Sequence, residues 1–286
     1  MIPEAEIRRL AGRWGVDPMI VDLDYVLGCS LASLYGRTEA SPLRAKGGTC
    51  LRKCYYADYR FSEDLDFTAE QRVSPEELQE LLAAATRAAA DAWEIDFAVR
   101  PIRIDVVGDE YGKESYQARL YYRGPLRRGG DPRAIRLDVT TNEVLALPAA
   151  RRGILHPYSD GDMLANVRVP CYDLVETLAE KARALAGQRQ YAISRDVYDV
   201  AELTQRASVD LARVAAAVPA KLEVKGLAAS WIDVERLRQR RDEFRADWQR
   251  NLMHLLPAGV TTDFDGAWER TVDFIADVSE ALQAKG

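Results

Sequence analysis

The chain reads as an α+β protein: a mixed sheet carrying helices over residues 1–165, followed by a helical C-terminal domain over 166–286. Two observations carry this reading. Residues 102–107 (IRIDVV), 115–122 (SYQARLYY) and 134–140 (AIRLDVT) alternate with the period of two that marks strands. From Cys171 onward that signal fades and apolar residues recur at helical spacing instead. Helical segments also precede and interrupt the strands, the order expected of a mixed sheet with helices laid on it.

Pro3-Glu4, with Ile7 and Leu10 at helical spacing, opens an amphipathic helix over 3–13. A second helix spans 18–35, with Ile20, Leu23, Leu27, Leu31 and Leu34 as its buried stripe and Gly36 as its stop. Ser41-Pro42 leads into a short strand, 43–46, that delivers the turn Gly47-Gly48-Thr49. A helix is expected over 50–56 with Thr49 as its cap, and then an apolar strand around Leu65 and Phe67. Ser74-Pro75-Glu76-Glu77 is a capping box with proline at the first helical position, starting an alanine-rich helix that runs to about Trp93. Beyond the alternating strands, 172–187 (YDLVETLAEKARALAG) is an amphipathic helix closed by Gly187, and Ser194 caps another with Asp196 near its positive end. Residues 208–286 are helical, with a last helix over about 264–282. There Val234, Leu237, Phe244, Trp248, Leu252 and Leu255 supply an apolar stripe, and Arg236, Arg238, Arg240, Arg241 and Arg245 a basic side. Asp233, Glu235, Asp242 and Glu243 are mixed among those arginines, so a solvated face competes with an RNA-binding one.

With 286 residues, 48% of them hydrophobic and 29% charged, the chain has the makings of one large or two modest globular domains. A formal charge of −6 argues against a protein wrapped in nucleic acid on all sides, yet permits one local basic face. Cys29, Cys50, Cys54 and Cys171 are preceded by no secretory segment and are expected to be reduced thiols in a cytoplasmic protein. Cys50 and Cys54 fall one helical turn apart, but with only His156 and His254 in the chain, packing is preferred to zinc. No apolar run approaches the ~20 residues that cross a bilayer, so no membrane association is expected.

The chemistry is expected between Lys46 and Thr68. Alternation puts Asp64 and Asp66 on one face of their strand and Leu65 and Phe67 on the other. Two carboxylates that close repel, and a divalent cation bound through hard oxygen ligands is the usual remedy. Gly47 and Gly48 lack a Cβ, so the chain can turn sharply and bring backbone N–H groups to an anion. Triphosphate on the glycine turn and metal on the acidic strand together describe a nucleotidyl-transfer site. Each motif alone is commonplace as a loop or a solvated strand; the weight lies in their order and spacing. Ser62 shares the acids' face by the same period, with either bound nucleotide or the local turn as partner of its hydroxyl.

Lys46-Gly47-Gly48-Thr49, then Leu51-Arg52-Lys53, then Arg60-Phe61-Ser62-Glu63-Asp64-Leu65-Asp66-Phe67 resemble the AbiEii/AbiGii toxin family of nucleotidyltransferases, which includes the MenT toxins. That family is a branch of the DNA polymerase beta-like nucleotidyltransferase fold. The broader pattern is Gly-Ser or Gly-Gly, a spacer, then two alternate aspartates. The 14 residues between Thr49 and Asp64 are longer than that pattern usually has, which favours this branch over small antibiotic-modifying enzymes. A second half also resembles the family: Lys181, Ala184 and Leu185 on a helix, then Arg195, Asp196, Tyr198 and Asp199. Glu176 and Glu180 both precede the lysine, and the resemblance does not choose between them.

The resemblance implies a growth-arresting toxin with a cognate antitoxin. Its expected activity is Mg2+-dependent (or Mn2+-dependent) transfer of a nucleoside monophosphate from an NTP to RNA, with the tRNA 3′ end the best candidate acceptor and pyrophosphate released. Lys46, Gly47, Gly48, Thr49, Ser62, Lys181 and Arg195 are then the NTP-binding residues, and Asp64, Asp66 and a third carboxylate the metal ligands. Lys181 would meet the triphosphate as a compact cation and Asp199 would orient it or the base-side groups. The third carboxylate is expected at Asp138, in Arg136-Leu137-Asp138-Val139, with Asp105 of the look-alike Arg103-Ile104-Asp105-Val106 as competitor. Transfer to a protein hydroxyl or a small molecule is a second reading. A non-catalytic antitoxin-binding protein is a third, against which the intact glycine turn and aspartate pair argue.

Overall fold

The computed structural model describes residues 1–108, 114–127, 129–141, 143–189 and 191–284, with backbone alone at 187 and 188. The chain divides into two compact units. The first comprises Met1–Glu143, Ala149–Cys171 and Leu255–Ala258; the second comprises Val144–Pro148, Tyr172–His254 and Gly259–Gly286.

In the first unit, helix α1 (Glu4–Trp14) ends at Gly15 with φ 64°, and α2 (Pro18–Tyr35) starts at Asp17, whose side chain accepts from the Met19 amide at 2.7 Å. Strand β1 (Leu43–Lys46) runs into the short helix α3 (Gly47–Cys50), which continues as a π-turn over Leu51–Tyr55. After β2 (Asp64–Ala69) comes α4 (Pro75–Trp93), with the Ser74–Glu77 capping box formed in both directions. Strands β3 (Arg103–Gly108), β4 (Glu114–Tyr122), β5 (Arg133–Thr140), β6 (Ala150–Gly153) and β7 (Arg168–Cys171) complete a seven-stranded sheet in the order β3-β4-β5-β2-β1-β7-β6. The β2–β5 and β1–β7 pairs are parallel and the others antiparallel, so the sheet is mixed.

Alternation decides which side of the sheet is core. Leu65 and Phe67 of β2, Ala118 and Leu120 of β4, and Leu137 and Val139 of β5 join Leu78 and Leu82 of α4 in one buried cluster with α2. Helix α2 is buried on every side from Ile20 to Leu34, well beyond the stripe its leucines mark. Its two interior acids are therefore partnered: Asp22 accepts from the Leu126 amide at 2.9 Å, and Asp24 binds Arg52 and Lys53.

The second unit holds α5 (Leu174–Arg183), α6 (Ser194–Arg206), α7 (Leu211–Glu223), α8 (Val234–Arg238), α9 (Arg241–Asp247) and α10 (Phe264–Gln283). Helix α10 packs on α6 and α7. Tyr198, Trp248, Phe264 and Trp268 form a chain of ring contacts at 5.6–6.0 Å through this core. The arginines of 236–245 are engaged locally: Arg238 with Glu235, Arg240 with Glu243, Arg241 and Arg245 with Asp265, and Arg236 over the Trp231 ring. That is the solvated-face arrangement. No helix of the described residues is long and apolar enough to cross a membrane.

Four local expectations are corrected. Thr49 does not cap a helix starting at residue 50; the helix begins at Gly47 with Lys46 as N-cap, because Gly47 turns the chain earlier, and the Thr49 hydroxyl donates to the Asp64 carbonyl. Ser194 is the first residue of α6 rather than its cap; Ile193 holds that place, and the Ser194 amide is satisfied by Asp247 at 2.7 Å. The segment from Tyr172 is capped by Asp173 and passes into a π-turn over Ala184–Gln188. Strands β6 and β7 are additions to the sheet, the first too polar and the second too short and proline-bearing (Pro170) to show alternation.

Candidate active site

Strand pairing assembles the acids. In the register of β2 and β5, Asp66 stands opposite Asp138 and Asp64 opposite Arg136. Neighbouring strands lie about 4.8 Å apart, so residues in register share a face as adjacent side chains. Lys46 faces Asp66 from β1 and Gln117 faces Asp138 from β4, so one row reads Lys46, Asp66, Asp138, Gln117, Asp105 across five strands. Asp138 is thus the acid beside Asp66. Asp105 lies two strands further out and is held by Arg103 at 2.9 Å. Burial, and then the negative charge of Asp64, push the Asp138 carboxyl above the usual carboxylate range.

The glycine turn meets these acids directly. Gly47 has φ 72°, and a Cβ built there would fall 2.1 Å from Asp66 Oδ2. At Gly48 a Cβ would fall 2.7 Å from Arg60 Nη2 and 2.9 Å from Ser62 Oγ. Ser62 is buried and its hydroxyl donates to Asp64 Oδ1 at 3.0 Å, while Thr49 ties the same strand through the Asp64 carbonyl. Lys46, Gly47, Gly48, Thr49, Ser62, Asp64, Asp66 and Asp138 are therefore brought together in the first unit. The carboxylates stand along one face; among the described residues, the compact three-ligand group is one of thiols, Cys50, Cys54 and Cys171.

Two features of this neighbourhood were not legible in the sequence. Arg60, 3% exposed, sits against the second glycine, although an arginine in a loop ordinarily reads as surface. The motif Leu51-Arg52-Lys53 turns inward: Arg52 Nε and Lys53 Nζ reach Asp24 of α2 at 2.7 and 2.6 Å, and Tyr158 donates to the same carboxylate at 2.6 Å. Burial alone would raise the Asp24 carboxyl, but Arg52 and Lys53 overcome that and hold it well below the usual range. The Arg52 guanidinium also lies 3.6 Å from the Phe61 ring centre. This buried knot anchors the turn-bearing segment to α2, leaving Gly47 and Gly48 little freedom to shift.

Below the acid row runs a basic one. Asp64, Arg136, Arg119 and Arg103 are successive register partners on the same face. A cleft of about 280 Å³ opens along it, lined by Leu23, Glu63, Arg119, Tyr121, Arg133 and Arg136 among others.

Lys181, Asp199 and Arg195 belong to the second unit. Lys181 Nζ lies 2.7 Å from Asp196 Oδ1 and 2.7 Å from Asp199 Oδ2, and Arg189 reaches Asp196 Oδ2 at 2.6 Å. Burial opposes the lysine's charge, yet Asp196 and Asp199 outweigh it and raise its pKa; burial likewise opposes the Asp196 charge, and Arg189 and Lys181 lower that carboxyl. Arg195 stands on the first turn of α6, next to Asp196. Of the two candidate glutamates, Glu176 is fully buried, accepts from the Ala146 and Leu147 amides at 3.1 and 2.9 Å, and pairs with Lys221. Its part is to hold the second unit together.

Comparison with solved structures finds the same fold elsewhere. MenT4, a nucleotidyltransferase toxin from Mycobacterium tuberculosis H37Rv, aligns over 98% of this chain and 90% of its own, with 20% identity and a TM-score of 0.58. JHP933 from Helicobacter pylori aligns over 94% and 96%, with 17% identity and a TM-score of 0.57. A nucleotidyltransferase from H. pylori aligns over 92% and 96%, with 16% identity and a TM-score of 0.53. At such identities the likeness establishes the fold. A comparison with curated proteins gives no match. Residues 31–270, which include both the glycine turn with its acids and the lysine–aspartate cluster, match the family described as nucleotidyl transferase AbiEii toxin of a type IV toxin–antitoxin system. The chain belongs to the AbiEii family of nucleotidyltransferase toxins.

Proposed function

We propose that this toxin transfers a nucleoside monophosphate from an NTP to an RNA acceptor, with tRNA the leading candidate, and that it does so with a divalent cation at Asp64, Asp66 and Asp138. The observation that carries the reading is the contact of the two motifs: the Asp66 carboxylate rests where a Gly47 side chain would be, beside Asp138 in strand register. Phosphate on the turn and charge-neutralised acids are then neighbours.

The donor set fits Mg2+ or Mn2+. Three carboxylates on one face are hard oxygen donors, and Asp138, raised by burial and then by the negative charge of Asp64, stands where a cation would offset that charge. Bound there, such an ion would neutralise phosphate oxygens and favour ionisation of an acceptor hydroxyl. The chain's own groups do the rest. Gly47 and Gly48 offer backbone N–H groups to the triphosphate, with Thr49 and Lys46 beside them. Ser62 orients Asp64 through its hydroxyl. Lys181, fixed by Asp196 and Asp199, is a preorganised cation for phosphate oxygens, and Arg195 a further one.

An RNA acceptor is supported by the arginine row. Arg119 and Arg136 present positive charge beside the acids, Arg103 being held by Asp105, and Tyr121 in the adjoining cleft offers a ring on which a base can stack. Incubating the purified chain with each labelled NTP, Mg2+ and total cellular RNA tests the proposal. Labelled product of tRNA size is expected; label on protein alone, or none, would overturn it.

A further inference from the structure

Three of the four cysteines converge. Cys50 ends α3 and Cys54 follows one turn later in the π-turn Leu51–Tyr55, so both thiols leave the same side of the segment. Cys171 ends β7, which pairs with β1 through Ala45 and Cys171. The three sulfur atoms all lie within 4.8 Å of one another, and the residues are 3%, 5% and 0% exposed. Cys29, the fourth, is buried but outside this group.

Packing alone does not account for the arrangement. Bland thiols would serve equally well scattered through the core, whereas these meet from a helix and from a strand far apart in sequence. Lys53 and Arg152 place positive charge near the Cys54 thiol. Arg152 is itself positioned, its guanidinium 4.5 Å from the Tyr55 ring centre. The set thus has soft donors, a compact geometry, exclusion from bulk water, and cations close by to offset thiolate charge. Sulfur is a poor ligand for hard ions such as Mg2+, so these donors select a different class of ion from the carboxylates of β2 and β5.

We propose that Cys50, Cys54 and Cys171 form a binding site for a thiophilic metal ion of the Zn(II) or Cu(I) type. On binding, each thiol gives up its proton to solvent as its sulfur–metal bond forms, with no change of oxidation state. Cys50 lies two residues after Gly48, so the ion ties the segment carrying the glycine turn to β7 and stiffens the turn from its far end. This site stands independently of the acceptor and of the nucleotidyl-transfer reading.

The test uses the full chain, reduced, chelator-stripped and kept free of oxygen. Titrations with Cd(II) and Cu(I) in separate arms should each raise a sulfur-to-metal charge-transfer band that saturates at one ion per chain. X-ray absorption of the Zn(II)-loaded protein should show three sulfur neighbours at about 2.3 Å. Cys171→Ser should abolish the saturable band while Cys29→Ser leaves it intact. If Cys171→Ser fails to fold, the parent's absorption spectrum decides alone. A protein that shows no saturable band in either arm, or that surrounds Zn(II) with nitrogen and oxygen, overturns the site. So does loss of the band in Cys29→Ser with its retention in Cys171→Ser, or conversion of two of the three thiols to a disulfide with no metal uptake.

Discussion

Asp66 of β2 and Asp138 of β5 stand opposite one another in parallel register, whereas Asp105 is separated from Asp138 by the whole width of β4. If the first pair shares a cation with Asp64, Asp138→Asn should reduce transfer by roughly hundredfold or more, since a metal supplies several kcal/mol at the transition state and each 1.36 kcal/mol is tenfold. Asp64→Ala and Asp66→Ala should lose activity as completely while keeping the parent's circular dichroism. Asp105→Asn should stay within a factor of about three, because only its exchange with Arg103 is disturbed. A labelled-NTP assay on the four variants decides, and full activity in Asp138→Asn with loss in Asp105→Asn would reverse the assignment.

Gly47→Ala tests the contact between turn and acid. Its backbone sits at φ 72°, and the new Cβ would lie 2.1 Å from Asp66 Oδ2, so either the turn or the carboxylate must move. Strain of about 1–3 kcal/mol is expected from such a site. Chemical denaturation should show that loss, and transfer should fall further than stability accounts for at saturating NTP. An alanine variant with parental stability and activity would show that the turn does not bear on Asp66.

Much of this arrangement was legible in the sequence because local chemistry fixed it. Ser74 and Glu77 announce α4, the stripe from Ile20 to Leu34 with Gly36 as its stop announces α2, and alternation in 115–122 and 134–140 draws β4 and β5 closely. The pairing of Asp66 with Asp138 was anticipated only through the family's pattern; register is set by contacts across 72 positions of sequence that no window contains. Asp24 escaped notice for a related reason. Its helix is buried all round, so a polar residue off the leucine stripe turned inward to meet Arg52 and Lys53 instead of water. Cys171 likewise joins Cys50 and Cys54 only through the β1–β7 pairing, and β7 is too short to be read as a strand.

The Lys181 cluster should reveal itself through stability as well as nucleotide binding. Lys181→Ala would leave Asp196 and Asp199 buried without their shared cation, at a cost of about 3–5 kcal/mol. Lys181→Arg should fold better than the alanine variant yet bind NTP more weakly than the parent in calorimetry. Parental NTP affinity in a folded arginine or alanine variant would exclude Lys181 from the triphosphate. The pH dependence has a definite sign. Asp196 is held below its ordinary 3.8, so its contribution is present above that value and is lost as pH falls through the lowered folded value. Lys181 is raised above 10.5, so its contribution is full below that pH and is lost as pH rises through the raised value. The stability gap between the parent and Asp196→Asn, from urea unfolding, should therefore be flat from pH 5 to 9 and narrow below about 3.8. A gap that widens on acidification would contradict the cluster's charge pattern.

Arg119 and Arg136 bear on the acceptor. They are register partners on β4 and β5, and Arg136 stands opposite Asp64, so a nucleic-acid backbone following the arginine row would carry its end toward the acids. Each phosphate contact removed should lower the slope of log affinity against log salt by roughly 0.7 for a single strand. Arg119→Gln combined with Arg136→Gln should therefore weaken RNA binding most at low salt and flatten that slope by roughly 1.4. NTP affinity should be unchanged, because the glycine turn and Lys181 are untouched. Filter binding across a salt series measures the first effect and calorimetry the second. An unchanged salt slope with parental transfer to RNA would remove the row from the acceptor path. A fall in NTP affinity alone would instead assign these arginines to the triphosphate.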